Sequence, residues 1–163
     1  MGNPVVGIIM GSDSDLDVMR GVAKVLDEFG VANELRVLSA HRTPDETSTY
    51  VKRASDRGIK IIVAGAGGSA HLAGVTAAQT NLPVISIPIK REGHGDEALL
   101  SNVAMPPGIP LATMPANGSK NAALLALRIL ALSDKDVASK YEAFVKKQHD
   151  DVLAKDAKLQ KDS

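Results

Sequence analysis

The sequence predicts an α/β fold, a parallel sheet with helices on both faces. Two observations carry the prediction. Short apolar runs alternate with segments whose apolar residues recur at helical spacing. The first run is apolar at nearly every position, as expected of a strand covered on both faces rather than one.

Taken in order, residues 5–10 form strand one and end at Gly11. Leu16, Met19, Val22, Ala23, Leu26 and Phe29 then recur at helical spacing, and Gly30 closes that helix. Strand two covers residues 33–38. Thr43-Pro44-Asp45-Glu46 opens helix two as a capping box, Thr43 reaching the amide of Glu46 and Pro44 occupying the first turn. Gly58 ends this helix. Residues 60–64 are strand three, followed by a glycine-rich turn and a helix over 70–80. Residues 83–89 and 111–114 are strands four and five, and 121–132 is a strongly apolar helix. Right-handed crossovers leave few topologies. The expected one is flavodoxin-like, a three-layer sandwich with strand order 2-1-3-4-5. In that order the carboxyl ends of strands one, two and three are neighbours, where open α/β sheets bind ligands.

A chain of 163 residues suggests a single domain, residues 1–163, with a helical tail from about 134. Residues 90–110 form a connection long enough to serve as a lid or an interface, with a short helix inside it. From residue 134 onward seven Lys meet seven acidic residues over a partial apolar stripe. Either a solvated, fraying helix or a helix reaching a neighbouring subunit fits that pattern. The helix at 121–132 is apolar nearly all round, which suggests either homo-oligomerisation or a central core helix.

Composition removes several function classes. Nineteen basic residues balance nineteen acidic ones, so no global charge favours nucleic acid or an anionic membrane. Phe29, Phe144, Tyr50 and Tyr141 are the only aromatics, too few for a base-stacking platform. The absence of cysteine excludes disulfides, thiolate metal sites and a cysteine nucleophile, and fits a cytoplasmic protein. No signal-like segment or membrane-length apolar run is expected. Met1-Gly2 begins a myristoylation-like pattern, but Val6 stands where Ser or Thr is needed.

Three strand ends carry candidate chemistry. In Gly11-Ser12-Asp13-Ser14-Asp15, amides opening a helix attract phosphate, and Ser12 and Ser14 add hydroxyl donors. Asp15 suits a sugar diol. Simple helix capping by Ser12 or Asp13 is the alternative. In Ser39-Ala40-His41-Arg42-Thr43-Pro44, the Arg42 fork matches a phosphate monoester or else pairs with Asp45 or Glu46. His41 belongs to the one side-chain type that titrates near neutrality unaided, and packing explains it poorly at a strand end. In the glycine-rich stretch Ala64 to Gly74, small residues leave room for a flat ring, and His71 reads as a neutral positioning group or a solvent-facing side chain. His94 could belong to a lid, while His149 lies in the charged tail. Neither a zinc ligand set nor a G-x-S-x-G elbow is present.

These motifs, with Met105-Pro-Pro-Gly-Ile-Pro110 and Asn121-Ala-Ala-Leu-Leu125, resemble the successive motifs of the PurE family, the N5-carboxyaminoimidazole ribonucleotide mutases of bacterial purine biosynthesis (class I). The resemblance runs from about residue 5 to 150. It implies a flavodoxin-like subunit of a homo-octamer acting on a small ribonucleotide, with no cofactor and no metal. It implies catalytic roles for His41 and His71, and substrate contacts from Ser12, Ser14, Asp15, Ser39, Arg42, Gly67, Ser69, Ala70 and Leu72. Ala70 and Ala73 would suit a dry pocket for CO2. Three features depart from the family pattern: Ala73 where proline is usual, Ala104 where glutamine is common, and a charged loop at 90–97. A related branch carboxylates aminoimidazole ribonucleotide directly with CO2, but Arg42 and His71 resemble the mutase branch.

Overall fold

Five parallel strands, Val6–Met10 (β1), Asn33–Val37 (β2), Ile61–Gly67 (β3), Val84–Ile89 (β4) and Ala112–Thr113 (β5), form one sheet in this computed structural model, which describes residues 3–161. Met1 and Gly2, where the lipidation-like pattern starts, lie outside the described residues. The sheet order is β2-β1-β3-β4-β5, the flavodoxin-like order expected from the sequence. β1 is thus flanked by β2 and β3, with Met10 beside Val37 and Gly65 at their carboxyl ends.

Helices cover both faces. Leu16–Glu28 (α1) packs on one, where Gly65 is required because a side chain there would overlap the sulfur of Met19. Pro44–Lys52 (α2) and His71–Ala77 (α3) cover the other through a core of Ile9, Val51, Ile62, Ala64 and Leu72. β1 and the first half of β3 are wholly buried, so each Ile or Val there contributes roughly 1.5–3 kcal/mol of hydrophobic stabilisation. Glu97–Val103 (α4) follows β4, and Ser119–Ala131 (α5) follows β5.

Several local expectations are corrected. Thr43 makes no capping bond to Glu46, because its hydroxyl accepts from the Ser39 amide at 2.9 Å and donates to the Ser39 carbonyl at 3.1 Å. Helix two ends at Lys52, well before Gly58, which instead closes a separate 3-10 turn at Ser55–Arg57 with φ 91°. The glycines after Ala64 do not begin a turn: β3 continues to Gly67, because pairing with β4 extends to Gly67 and Ile89.

β2 is one of the two sheet edges, and it is tied down by a polar cluster. Glu34 accepts from Tyr50 Oη at 2.8 Å and from Arg57 Nη2 at 2.5 Å. The Arg57 guanidinium also lies over the Tyr50 ring, 5.2 Å from its centroid. Burial, reinforced by the bond to Glu34, pushes the Tyr50 hydroxyl well above its ordinary pKa.

The chain divides into two compact units after Ala126. In the second, Lys135–Lys161 (α6) is one continuous helix. Asp134 caps it, accepting from the amides of Asp136 and Val137 at 3.0 and 3.1 Å. Its apolar residues Val145, Val152, Leu153 and Leu159 are exposed. No helix among the described residues is long and apolar enough to cross a membrane.

Candidate functional site

The carboxyl ends of β1, β2, β3 and β4 surround a cavity of about 500 Å³, within the usual range for a small-molecule site. Of the residues singled out in the sequence, Ser12, Asp15, Ser39, His41, Arg42, Gly67, Ser69, Ala70, His71 and Leu72 line it. Ser14 stands one step back, its hydroxyl donating to Ser12 Oγ at 2.8 Å.

The first wall is the turn after β1. Ser12 caps a short 3-10 helix at Asp13–Asp15 by accepting from the Ser14 amide at 3.3 Å. This turn runs directly into α1, with the Asp15 amide donating to the Ser12 carbonyl at 3.1 Å. Asp15 is 2% exposed, and its carboxylate pairs with Arg91 Nη2 at 2.7 Å. The same nitrogen donates to Ser14 Oγ at 2.7 Å. Asp15, which the sequence suggests for a sugar diol, is therefore an ion-paired residue.

The second wall is the turn after β2. Arg42 forms no pair with Asp45 or Glu46 among the described residues. Its Nη2 donates to the Gly11 carbonyl at 2.6 Å, and its Nε donates to Ser39 Oγ at 3.3 Å. Ser39 is itself held by the Thr43 hydroxyl, while the buried Thr47 hydroxyl donates to its carbonyl at 3.2 Å. The Ser-Thr network that displaced the capping box thus fixes the residue on which Arg42 rests.

The third wall is the turn before α3. Gly68 and Ala70 both adopt left-handed backbone, with φ 60° and 46°. For alanine this conformation costs roughly 1–2 kcal/mol. Support comes from α4, where Ser101 Oγ donates to the Ser69 carbonyl at 2.5 Å and buried Asn102 donates to the Ala70 carbonyl at 3.4 Å. The strained turn delivers His71 to the first position of α3, facing His41. Their Nδ1 and Nε2 atoms are 2.9 Å apart, with the rings edge to face at 87°. One of the two nitrogens donates and the other accepts.

Ala73 does not line the cavity: it is buried in the core at the third position of α3. That is a first-turn site, where alanine and proline are both accommodated, so this departure leaves the helix intact. Ala104 lies at the exposed end of α4, also away from the cavity. Among the described residues, no group of three or more His, Cys, Asp or Glu is placed to hold a metal ion.

Arg91 and His94 also line the cavity; the sequence suggested His94 only as a lid residue and did not single out Arg91. The signal was available. Both follow the carboxyl end of β4, and the strand-end rule that selected the other three turns applies equally there.

An open α/β sheet with a polar cavity at the carboxyl ends of its strands defines a small-ligand protein of the doubly wound class. Residues 5–151 match the AIR carboxylase family, and the chain belongs to that family, PurE. It is 54% identical to the N5-carboxyaminoimidazole ribonucleotide mutase of Pyrococcus abyssi, over 88% of this chain and 83% of that one. It is 53% identical to the phosphoribosylaminoimidazole carboxylase of Saccharomyces cerevisiae, over 98% of this chain but 28% of the yeast protein. The crystal structure of Treponema denticola PurE superposes with a TM-score of 0.88 at 32% identity, covering 96% of this chain and 98% of that one.

Proposed function

We propose that this chain is an N5-carboxyaminoimidazole ribonucleotide mutase of class I, serving purine biosynthesis. It moves a carboxylate from the exocyclic nitrogen of the aminoimidazole to a ring carbon. The observation that carries the reading is the His41–His71 contact, a proton held between two ring nitrogens 2.9 Å apart on the wall of a nucleotide-sized cavity. Ser12, Ser14 and Arg42 supply donors for the phosphate, Asp15 an acceptor for the ribose. The Gly67–Leu72 stretch supplies a flat, largely small-residue floor for the ring.

The chemistry balances with side chains alone. The carbamate N–C bond breaks, CO2 departs, and the electron pair remains on nitrogen, which takes a proton from His41. The ring carbon then attacks CO2, forming the new C–C bond and leaving a cationic ring with hydrogen still on that carbon. Neutral His41 removes this proton, which restores both the aromatic ring and its own starting state. His71 orients His41 through the contact between its Nδ1 and His41 Nε2. Ala70 and Leu72 supply apolar surface beside the histidines for the transient CO2. The proposal takes residues 1–163 as one domain of a cytoplasmic homo-octamer that works without cofactor, and sedimentation equilibrium tests the assembly.

Direct carboxylation of aminoimidazole ribonucleotide is the second reading, supported by the name of the yeast relative. Supplying purified protein with N5-carboxyaminoimidazole ribonucleotide, or with aminoimidazole ribonucleotide and bicarbonate, separates the two. His41→Asn is expected to lower turnover roughly 10²–10⁴-fold while nucleotide binding persists. Near-normal turnover in that variant overturns the role of His41.

A further inference from the structure

The turn after β1 is gripped by arginines from two directions. Arg42 Nη2 donates to the Gly11 carbonyl at 2.6 Å, and Arg91 Nη2 donates to Ser14 Oγ and to Asp15 Oδ1, both at 2.7 Å. Between them lie the hydroxyls of Ser12 and Ser14, 2.8 Å apart. The function proposed above uses Arg42 but gives Arg91 nothing to do.

Charge argues that Arg91 has a ligand. A phosphate monoester carries about −1.5 to −2 near neutrality. Of the two carboxylates on this turn only that of Asp15 lines the cavity, and it offsets Arg42. Arg91 gives that end of the cavity the net positive charge a phosphate needs.

Geometry agrees. The Asp15 carboxylate is 2% exposed while the Arg91 side chain is 49% exposed, so the pair is anchored on one side and open on the other. A buried carboxylate requires such a partner. A guanidinium has five N–H donors, and both bonds described for Arg91 use Nη2. Donors therefore remain for a second anion without release of the first.

The backbone holds Arg91 in place. The Lys90 amide donates to Asn117 Oδ1 at 2.9 Å, and Asn117 Nδ2 donates to the Lys90 carbonyl at 3.1 Å. The residue just before Arg91 is thus clipped on both its main-chain groups. Gly93, with φ 77°, marks the bend only after it.

We propose that Arg91 is a second phosphate-binding residue, holding the 5′-phosphate of the ribonucleotide from the side opposite Arg42 while it keeps Asp15 ion-paired. The inference rests on the ribonucleotide reading given above. It assigns a substrate contact to the charged loop that sets this chain apart from the usual family pattern.

The test measures equilibrium affinity for 5-aminoimidazole ribonucleotide, its unphosphorylated nucleoside, and ribose 5-phosphate. Arg91→Met is expected to weaken both phosphorylated ligands roughly ten- to hundredfold and the nucleoside distinctly less, its smaller loss coming only through the unpaired Asp15. Arg91→Lys, which keeps the charge and the pair with Asp15 but loses the fork, is expected to show a smaller loss with the same selectivity. Lys90→Gln, whose side chain meets Asp96 outside the cavity, should bind like the wild type. Circular dichroism and thermal midpoints confirm that the variants are folded. Equal losses for nucleotide and nucleoside, or no loss, in both Arg91 variants overturn the inference, and an active wild type then leaves the mutase reading standing. A wild type that binds ribose 5-phosphate through Arg91 but shifts no carboxylate overturns the mutase and keeps the inference.

Discussion

Two arginine–carboxylate pairs in this chain look alike and are built differently. Glu34, at the sheet edge, accepts from Arg57 and from Tyr50, three groups carried by β2, a 3-10 turn and α2. Asp15, in the cavity, has Arg91 as the only hydrogen-bond partner of its side chain among the described residues. In the first, one carboxylate oxygen is held by two neighbours built into the fold. The second is buried, singly partnered, and opens on a cavity. A pair of the first kind fastens structure, whereas a pair of the second kind keeps capacity for a ligand.

The sharpest way to break that comparison is to substitute the two carboxylates. Asp15→Asn should reduce nucleotide affinity by roughly 10–100-fold, the loss of a charged hydrogen bond, with the thermal midpoint nearly unchanged. Isothermal titration beside a melting curve measures both, and a large fall in midpoint would make Asp15 structural too. Glu34→Ala should do the reverse. It strands the buried Tyr50 hydroxyl and costs roughly 1–3 kcal/mol, a fall of about 2–10 °C, while kcat/KM is retained. Loss of activity in the folded variant would erase the distinction.

A smaller effect reads the pH dependence of the edge cluster. The pKa of Tyr50 is raised in the folded state, first by burial and then by Glu34. The stability that depends on its neutral hydroxyl is therefore complete below about pH 10 and is lost as pH climbs above it. Tyr50→Phe should cost about 0.5–1.5 kcal/mol at neutral pH and flatten that alkaline decline. Denaturant melts at pH 8 and above pH 10 check it, and an unchanged alkaline slope would remove Tyr50 as the cause. Least of all should come from Lys146→Ala on α6. Its partner Asp150, whose pKa is lowered by Lys146 and then His149, is fully solvated, so no change in midpoint is expected.

The strands, and the strand-end residues Ser12, Asp15, His41, Arg42 and His71 that line the cavity, were legible because each depends on a local signal, an apolar run and then a turn holding unusual residues, whereas Gly67, Ser69, Ala70 and Leu72 were reached through the family resemblance. What escaped was non-local. Thr43 has a capping-box sequence, yet its hydroxyl serves Ser39, a choice made by the neighbouring strand end. Gly65 to Gly67 read as a turn from composition but stay extended because β4 lies alongside. Arg91 sits in a run of charges that looks like solvated surface, and its partner Asp15 lies 76 residues earlier. Ala73 was legible as a small residue near His71 but not as one facing the core.

The bonds that close the cavity span the chain. His41 meets His71 across 30 residues, Arg42 meets Gly11 across 31, and Arg91 meets Asp15 and Ser14 across 76 and 77. None joins neighbours within a single helix or strand. During refolding, helices and the first strand pairs form from local or nearby contacts, but the cavity must wait for β4 to dock beside β3 and bring its trailing loop home. Competence to bind should therefore return last, after the signals of secondary structure have recovered.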